Sequence, residues 1–174
     1  MTSNAGYRIW QFWQSLKRSP SAEQMDLVKS ILSTAELELF QTLPIPDQNH
    51  SIRVLESLIS QGEGDSDLLK AALLHDLGKI KFPLQRLERV YSVLITGLFP
   101  NRAKHWGNGD PAGLARPLVV INHHPDWGAE YAEAVGSSPL TVWLIRNHEN
   151  EKLDGFPGDR KDILLKLQKA DDLN

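Results

Sequence analysis

Apolar residues recur along most of this chain at spacings of three and four positions, a pattern that predicts amphipathic helices. The segment from Leu68 to Leu74 is apolar on almost every side, so we expect a buried helix there. Other helices are predicted at residues 6–17, 21–32, 33–43, 47–61, 87–98 and 139–147, and a last one begins near residue 159.

Polar residues mark where several of these helices begin or end. Ser21 and Ser33 each open a capping-box pattern, a serine followed three residues later by glutamine or glutamate. Asp47 is predicted to cap the helix that follows it. Gly78 is suited to the left-handed turn that closes a helix, so we expect it to end the central one.

The second half of the chain contains one clear helix and one ambiguous stretch. The helix at residues 87–98 is largely apolar, and three of its residues are expected to face the core: Val90, Val93 and Leu94. Residues 118–121, Leu-Val-Val-Ile, have the composition of a strand. Pro117 suits the first turn of a helix, however, so the local pattern leaves both structures open.

The stretch between these two elements is predicted to be irregular. Residues 99–117 are rich in glycine, proline and asparagine, so we expect a long loop. Such a loop is either a lid over a site or a mobile surface segment. His105 and Trp106 lie in it, and a contact with substrate suits them better than a role as metal ligands.

The composition narrows the class of protein. The chain has 174 residues, of which 41% are hydrophobic and 24% charged, as expected for a soluble protein of one domain. A net charge of −3 without a basic stripe disfavours long nucleic acid as a partner. No signal pattern begins the chain and no apolar run approaches the roughly 20 residues of a membrane span, so we expect a cytoplasmic protein without a membrane partner.

His75 and Asp76 are the first candidates for chemistry, because they stand side by side at the end of the buried helix. A buried carboxylate needs a cation, a metal or several hydrogen-bond donors. The plain alternative is a helix end whose histidine and aspartate are hydrogen-bonded in the core. The chain has no cysteine, so any metal must be bound by histidine, aspartate or glutamate.

Four more residues of ligating type lie at the ends of predicted apolar faces. His50 shares a face with Val54 and Leu58 by four-residue steps, and Asp171 ends a stripe that contains Leu164 and Leu167. The other two are His124, with His123 as a weaker neighbour, and His148. For His50 the alternative is a core histidine bonded to a backbone carbonyl, and for Asp171 it is a solvated acid near the end of the last helix.

The ordered set of these residues resembles the HD superfamily of metal-dependent phosphohydrolases. The most specific match is His75-Asp76-Leu77-Gly78-Lys79 after an apolar helix, with single histidines before and after it and an aspartate near the end. His50 precedes the His-Asp pair by 25 residues, a spacing typical of the first ligand in that superfamily. The resemblance runs from His50 to Asp171.

Two segments are similar to the binuclear and HD-GYP branches of the superfamily. His124-Pro125 followed by Gly128-Ala129 matches the binuclear pattern, with His124 at the ligand position. The HD-GYP branch has His-His-Glu and then Asp-Gly-x-Gly-Tyr-Pro, whereas residues 147–149 are Asn-His-Glu and residues 154–157 are Asp-Gly-Phe-Pro. The likeness to that branch is therefore partial, without the Gly-Tyr-Pro motif.

The resemblance implies an all-α fold, a compact multi-helix HD-domain bundle, and favours a helix at residues 118–121. Residues 1–174 would form a single domain, with 47–174 as the HD core and 1–46 as a helical extension packed on it. The implied metal ligands are His50, His75, Asp76, His124, His148 and Asp171. Asp76 would bridge two ions, and Mn, Fe, Ni, Co, Zn or Mg are the candidate metals.

The resemblance also implies an activity, the hydrolysis of a small phosphate ester, with a nucleotide as the expected substrate class. Asp76, Lys79 and Asp172 are the expected catalytic residues, Asp172 as a proton acceptor, and Lys79 with Arg146 would bind substrate. A phosphomonoesterase competes with a cyclic-dinucleotide phosphodiesterase, and a nucleotide-sensing or interaction module without turnover is the other alternative. For the aromatic face of the helix predicted at residues 6–17, two expectations stay open: it extends the core, or it forms a homodimer contact.

Overall fold

The structure, a computed structural model, describes residues 19–150 and 152–174, so the helix predicted at residues 6–17 lies outside it. Within these residues the chain forms nine α-helices and no β-strand, which confirms the all-α expectation. The helices are α1 (Ala22–Ile31), α2 (Thr34–Thr42), α3 (Ile45–Ser60), α4 (Ser66–Leu74), α5 (Arg86–Leu98), α6 (Pro100–Gly107), α7 (Arg116–Ala134), α8 (Pro139–Asn147) and α9 (Gly158–Asp172). Two short 3₁₀ helices occupy Leu77–Lys81 and Gly113–Ala115.

The buried helix predicted from Leu68 onward is α4, and four other helices pack around it. Five of its apolar side chains have no exposed surface: Leu68, Ala71, Ala72, Leu73 and Leu74. α4 packs against α1, α3, α8 and α9. Full burial of each leucine contributes about 1.5–3 kcal/mol to stability. Val28 of α1 and Phe40 of α2 belong to the same hydrophobic core, and no described helix has the length and apolar character that a bilayer span requires.

Both predicted capping boxes are present. The Ser21 hydroxyl accepts a hydrogen bond from the amide of Gln24 at 3.2 Å, and the Ser33 hydroxyl accepts one from Glu36 at 3.3 Å. The side-chain oxygens of Gln24 and Glu36 in turn accept hydrogen bonds from the backbone amides of Ser21 and Ser33. These four bonds satisfy amides that the first turn of a helix leaves free, and they explain why α1 and α2 begin where the pattern indicates.

Asp47 does not cap α3, so that prediction is wrong. α3 begins at Ile45 after Pro44, which places Asp47 inside the first turn, where it is buried. Its two carboxylate oxygens accept hydrogen bonds from the Arg89 guanidinium of α5, at 2.6 and 2.7 Å. A bidentate arginine binds a carboxylate more strongly than a single neutral backbone amide does, so the tertiary partner prevails over the local cap.

Gly78 is required for close packing, and not for the left-handed turn that the sequence predicted. Positive φ angles among the described residues occur at other glycines, and the chain continues past His75 into a 3₁₀ helix. A Cβ atom on Gly78 would lie 2.0 Å from the carbonyl oxygen of His124 and 2.8 Å from the amide nitrogen of Gly128. The glycine therefore lets the backbone after Asp76 touch α7.

The helix predicted at residues 87–98 is present as α5, but it faces the other way. Val90, Val93 and Leu94 were expected in the core, but they are 53%, 71% and 53% exposed, so that prediction is wrong. Ser92 is buried instead, and Arg89 reaches the carboxylate of α3 described above. Periodicity shows which residues share a face, but it does not show which face turns inward, and here the face with Ser92 and Arg89 does.

The predicted loop at residues 99–117 is mostly helical. Pro100 begins α6, in a position where its missing amide hydrogen costs nothing. α6 packs against α5 and α7, so this part of the predicted lid is a packed helix. Residues 118–121 belong to α7, which confirms the helix that the family resemblance favoured over a strand.

Candidate metal centre

Four helices bring the predicted ligands to one place beside α4. His75 stands directly after the last residue of α4, and His148 directly after the last residue of α8. His124 lies in the middle of α7 and Asp171 in the last turn of α9. With His50 from the first half of α3, these side chains converge although the chain separates them by up to 121 residues.

The first group comprises His50, His75 and Asp171, whose ligand atoms all lie within 4.8 Å of one another. Asp171 Oδ1 lies 2.8 Å from His50 Nε2 and 3.6 Å from His75 Nε2. His75 is buried, whereas His50 and Asp171 are partly exposed, so the group is open to solvent on one side. Two imidazoles and a carboxylate are a suitable donor set for a divalent transition metal.

The second group comprises Asp76, His124 and His148, and all three are buried. His124 Nε2 lies 3.1 Å from His148 Nε2 and 3.4 Å from Asp76 Oδ1. The same Asp76 oxygen lies 3.7 Å from Nε2 of His75 in the first group. Asp76 thus stands between the two groups.

Backbone carbonyls fix the tautomer of three of these histidines. His75 Nδ1 lies 3.0 Å from the carbonyl oxygen of Ala72, and His148 Nδ1 lies 2.7 Å from that of Ile145. A carbonyl oxygen can only accept, so each Nδ1 carries a hydrogen, and the Nε2 of each neutral ring presents a lone pair. Both carbonyls belong to the last turn of a helix, where intrahelical partners are missing.

His124 lies within a helix, and Pro125 provides the carbonyl that it needs. In a regular α-helix the amide of residue 125 would donate to the carbonyl of Ile121, but proline has no amide hydrogen. The Ile121 oxygen instead lies 2.8 Å from His124 Nδ1. His124 therefore also directs the lone pair of Nε2 toward the cluster, in the arrangement by which metal-bound histidines are oriented.

These tautomers leave donor atoms that need a cation. Nε2 of His75 is buried and has no hydrogen-bond partner among the described residues. His124 and His148 point two Nε2 lone pairs at each other across 3.1 Å, which is repulsive unless a proton or a cation lies beside them. The donors present therefore fit a divalent metal in each group.

The charges of the cluster attract positive ions. Burial lowers the pKa of His75, but the carboxylates of Asp76 and Asp171 outweigh it and raise this pKa to about 9. Burial raises the pKa of Asp76, but Lys79 and the neighbouring histidines outweigh it and hold this pKa well below its usual value. The field that retains a proton on His75 also favours a metal ion.

The pKa of His148 is shifted in the opposite direction to that of His75. Burial, together with the neighbouring His75 and His124, lowers its pKa to about 3. The imidazole is therefore neutral over the physiological range, as a metal ligand must be.

Comparison with known proteins agrees with this geometry. A family model described as the HD domain matches residues 48–173, nearly three quarters of the chain. The chain belongs to the HD domain family. HD domains are generally metal-dependent hydrolases that bind divalent cations, and the match does not test the partial likeness to the HD-GYP branch. Searches of the curated proteins and of the solved structures found no match.

Lys79 and Arg89 add positive charge beside the ligands of this HD domain. Lys79 Nζ lies 2.6 Å from Asp76 Oδ2, with 27% of the side chain exposed. Asp47, which lies one turn before His50 on α3, binds Arg89 and also helps to raise the pKa of Lys79. Sequence reasoning missed this ion pair because its partners are 42 residues apart and neither belongs to the HD motif.

Other predicted site residues lie outside the two ligand groups. Asp172 is exposed, and it has no hydrogen bond or ion pair with the described residues, so its predicted catalytic role stays a prediction. Arg146 lies 3.6 Å from Asp126 on the neighbouring helix. His123 stacks on Trp127 with ring centroids 5.7 Å apart, and His105 is an exposed residue of α6.

Proposed function

We propose that this HD domain is a metal-dependent phosphohydrolase that acts on a small phosphate ester, with a nucleotide as the expected substrate class. The observation that carries the proposal is the pair of adjoining ligand groups with Asp76 between them. Two divalent ions held by these residues would supply a nucleophile near neutral pH and would stabilise the attacking and leaving oxygens of phosphoryl transfer.

The residues of the chain would act around that centre in distinct ways. The three histidines that donate Nδ1–H to carbonyls hold their Nε2 atoms fixed, which limits reorganisation during the reaction. Lys79 is partly exposed beside Asp76, so its ammonium can face a phosphate oxygen. The open side of the first group, at His50 and Asp171, gives water access to the centre.

The test measures phosphate release by metal-depleted protein to which Mn, Co, Ni, Fe, Zn or Mg is returned. The substrates are nucleoside 5′-monophosphates and a cyclic dinucleotide. We expect metal-dependent turnover, which Asp76→Asn lowers by more than about 100-fold, the upper range for loss of a partner outside the ligand shell. Asp159→Asn, which changes an exposed carboxylate in the first turn of α9, is the matched control and should retain activity.

The outcomes separate the candidate functions. Turnover of the cyclic dinucleotide alone would favour the phosphodiesterase. Tight nucleotide binding without release under every metal would contradict the proposed hydrolysis and favour a sensing module. Asp172→Asn tests the remaining catalytic prediction: metal-saturated protein that binds substrate but has lost turnover would support a role in proton transfer, and full activity would remove that role.

A further inference from the structure

A cavity of about 530 Å³ lies beside the second ligand group, between α6, α7 and the chain after α8. Its volume falls within the range of about 300–1,000 Å³ that is typical of small-molecule sites. Ile121 and Pro125 line it on either side of His124 in the sequence, and Glu149 lines it directly after His148. Glu149 Oε1 lies 3.9 Å from Nε2 of His148, so one wall residue of the cavity approaches a ligand atom.

The walls of the cavity combine an apolar floor with an excess of positive charge. Three basic residues line it against two acidic ones, and one of the acidic ones is already paired, because Asp126 faces Arg146 at 3.6 Å. The side chains of Lys104 and Lys152 are exposed and form no ion pair with the described residues. These lysines leave unneutralised charge at the rim, which favours an anionic ligand.

The geometry points to this cavity as the site for the part of the substrate beyond the scissile phosphate, and to a substrate that carries a second phosphate group. This inference rests on the proposed hydrolysis at the adjoining ligand groups. Lys104 and Lys152 would bind the second phosphate, and Arg146 would contact the linking organic part or the same phosphate. The apolar residues Leu118 and Ile121 would pack against that organic part.

The first test compares two substrates that differ by one phosphate, adenosine 5′-monophosphate and adenosine 3′,5′-bisphosphate. We expect the metal-loaded wild type to have the higher kcat/KM with the bisphosphate. The double variant Lys104→Ala/Lys152→Ala should reduce the ratio of the two kcat/KM values by about tenfold, mostly through KM, which is the range for two exposed ionic contacts. The control Lys29→Ala/Lys166→Ala removes two lysines elsewhere on the surface and should leave the ratio unchanged.

The second test measures binding without catalysis, by calorimetric titration of the full chain with the bisphosphate in EDTA. If the double variant Lys104→Ala/Lys152→Ala binds the bisphosphate about tenfold more weakly than wild type does, the result would support the cavity as the site. If no phosphate ester is hydrolysed but this lysine-dependent binding persists, the proposed reaction fails and the binding site stands. If the monophosphate and bisphosphate are hydrolysed equally well and the variant binds like wild type, the inference about the cavity is overturned while the reaction stands.

Discussion

Gly78→Ala should damage both the fold and the metal centre, because the backbone of α7 leaves no room for a side chain there. The new Cβ would meet the His124 carbonyl oxygen at 2.0 Å, whereas ordinary contacts begin near 3.4 Å. The two segments must therefore separate by more than about 1 Å, and neither neighbour is a flexible side chain. Overpacking typically costs about 1–3 kcal/mol, and we expect the upper end of that range.

The same separation pulls Asp76 away from His124, whose ligand atoms are 3.4 Å apart. A displacement of about 1 Å can lower the rate of a catalysed reaction about 100-fold where groups must be precisely placed. We therefore expect metal affinity to fall by at least tenfold. Urea unfolding and calorimetric titration with Mn²⁺ measure the two effects. Gly97→Ala is the control, because nothing lies within 4 Å of its Cβ, and in a helix it should stabilise by up to about 1 kcal/mol. Wild-type stability and Mn²⁺ affinity in Gly78→Ala would refute the reasoning.

Three further predictions follow from the structure. In EDTA, the free energy of unfolding should be greatest near the ordinary histidine pKa of 6.5. It should fall at lower pH because His148, whose pKa is lowered to about 3, stays neutral in the folded protein while the unfolded chain takes up a proton. It should also fall as the pH rises toward about 9, the raised pKa of His75, because the folded protein loses a proton that the unfolded chain has already lost. Urea unfolding across this range checks the prediction, and a maximum at either extreme would contradict it. Pro125→Ala restores an amide that competes with His124 for the Ile121 carbonyl, so Mn²⁺ affinity by calorimetry should fall about tenfold, whereas unchanged affinity would argue against this role. Val93→Lys on the exposed face of α5 should change stability by less than about 0.5 kcal/mol, while Leu73→Ala in α4 should cost about 2–5 kcal/mol; equal losses would place α5 in the core after all.

Local patterns in the sequence predicted the helices well, because their causes are local. The hydroxyls of Ser21 and Ser33 satisfy amides three residues away, so the beginnings of α1 and α2 follow from neighbouring residues. The orientation of α5 was not predictable in this way. On its inward side Arg89 reaches a carboxylate 42 residues earlier, and periodicity contains no information about that partner.

The candidate ligands were predictable as a set, and their precise geometry was not. The HD resemblance named the residues that converge, and the apolar faces of α3 and α9 indicated that His50 and Asp171 turn inward. The roles of Gly78 and Pro125 depend on how α7 crosses the end of α4, which only the packed structure shows. In the sequence, the proline directly after His124 was the available signal for the carbonyl that orients this imidazole.

The most direct test of the account is an anomalous difference map from crystals of the full chain grown with Mn²⁺. The account predicts peaks within coordination distance of two ligand sets, one formed by His50, His75 and Asp171 and the other by Asp76, His124 and His148, with Asp76 beside both. Absence of a peak at saturating Mn²⁺, or peaks only at surface carboxylates away from α4, would contradict it.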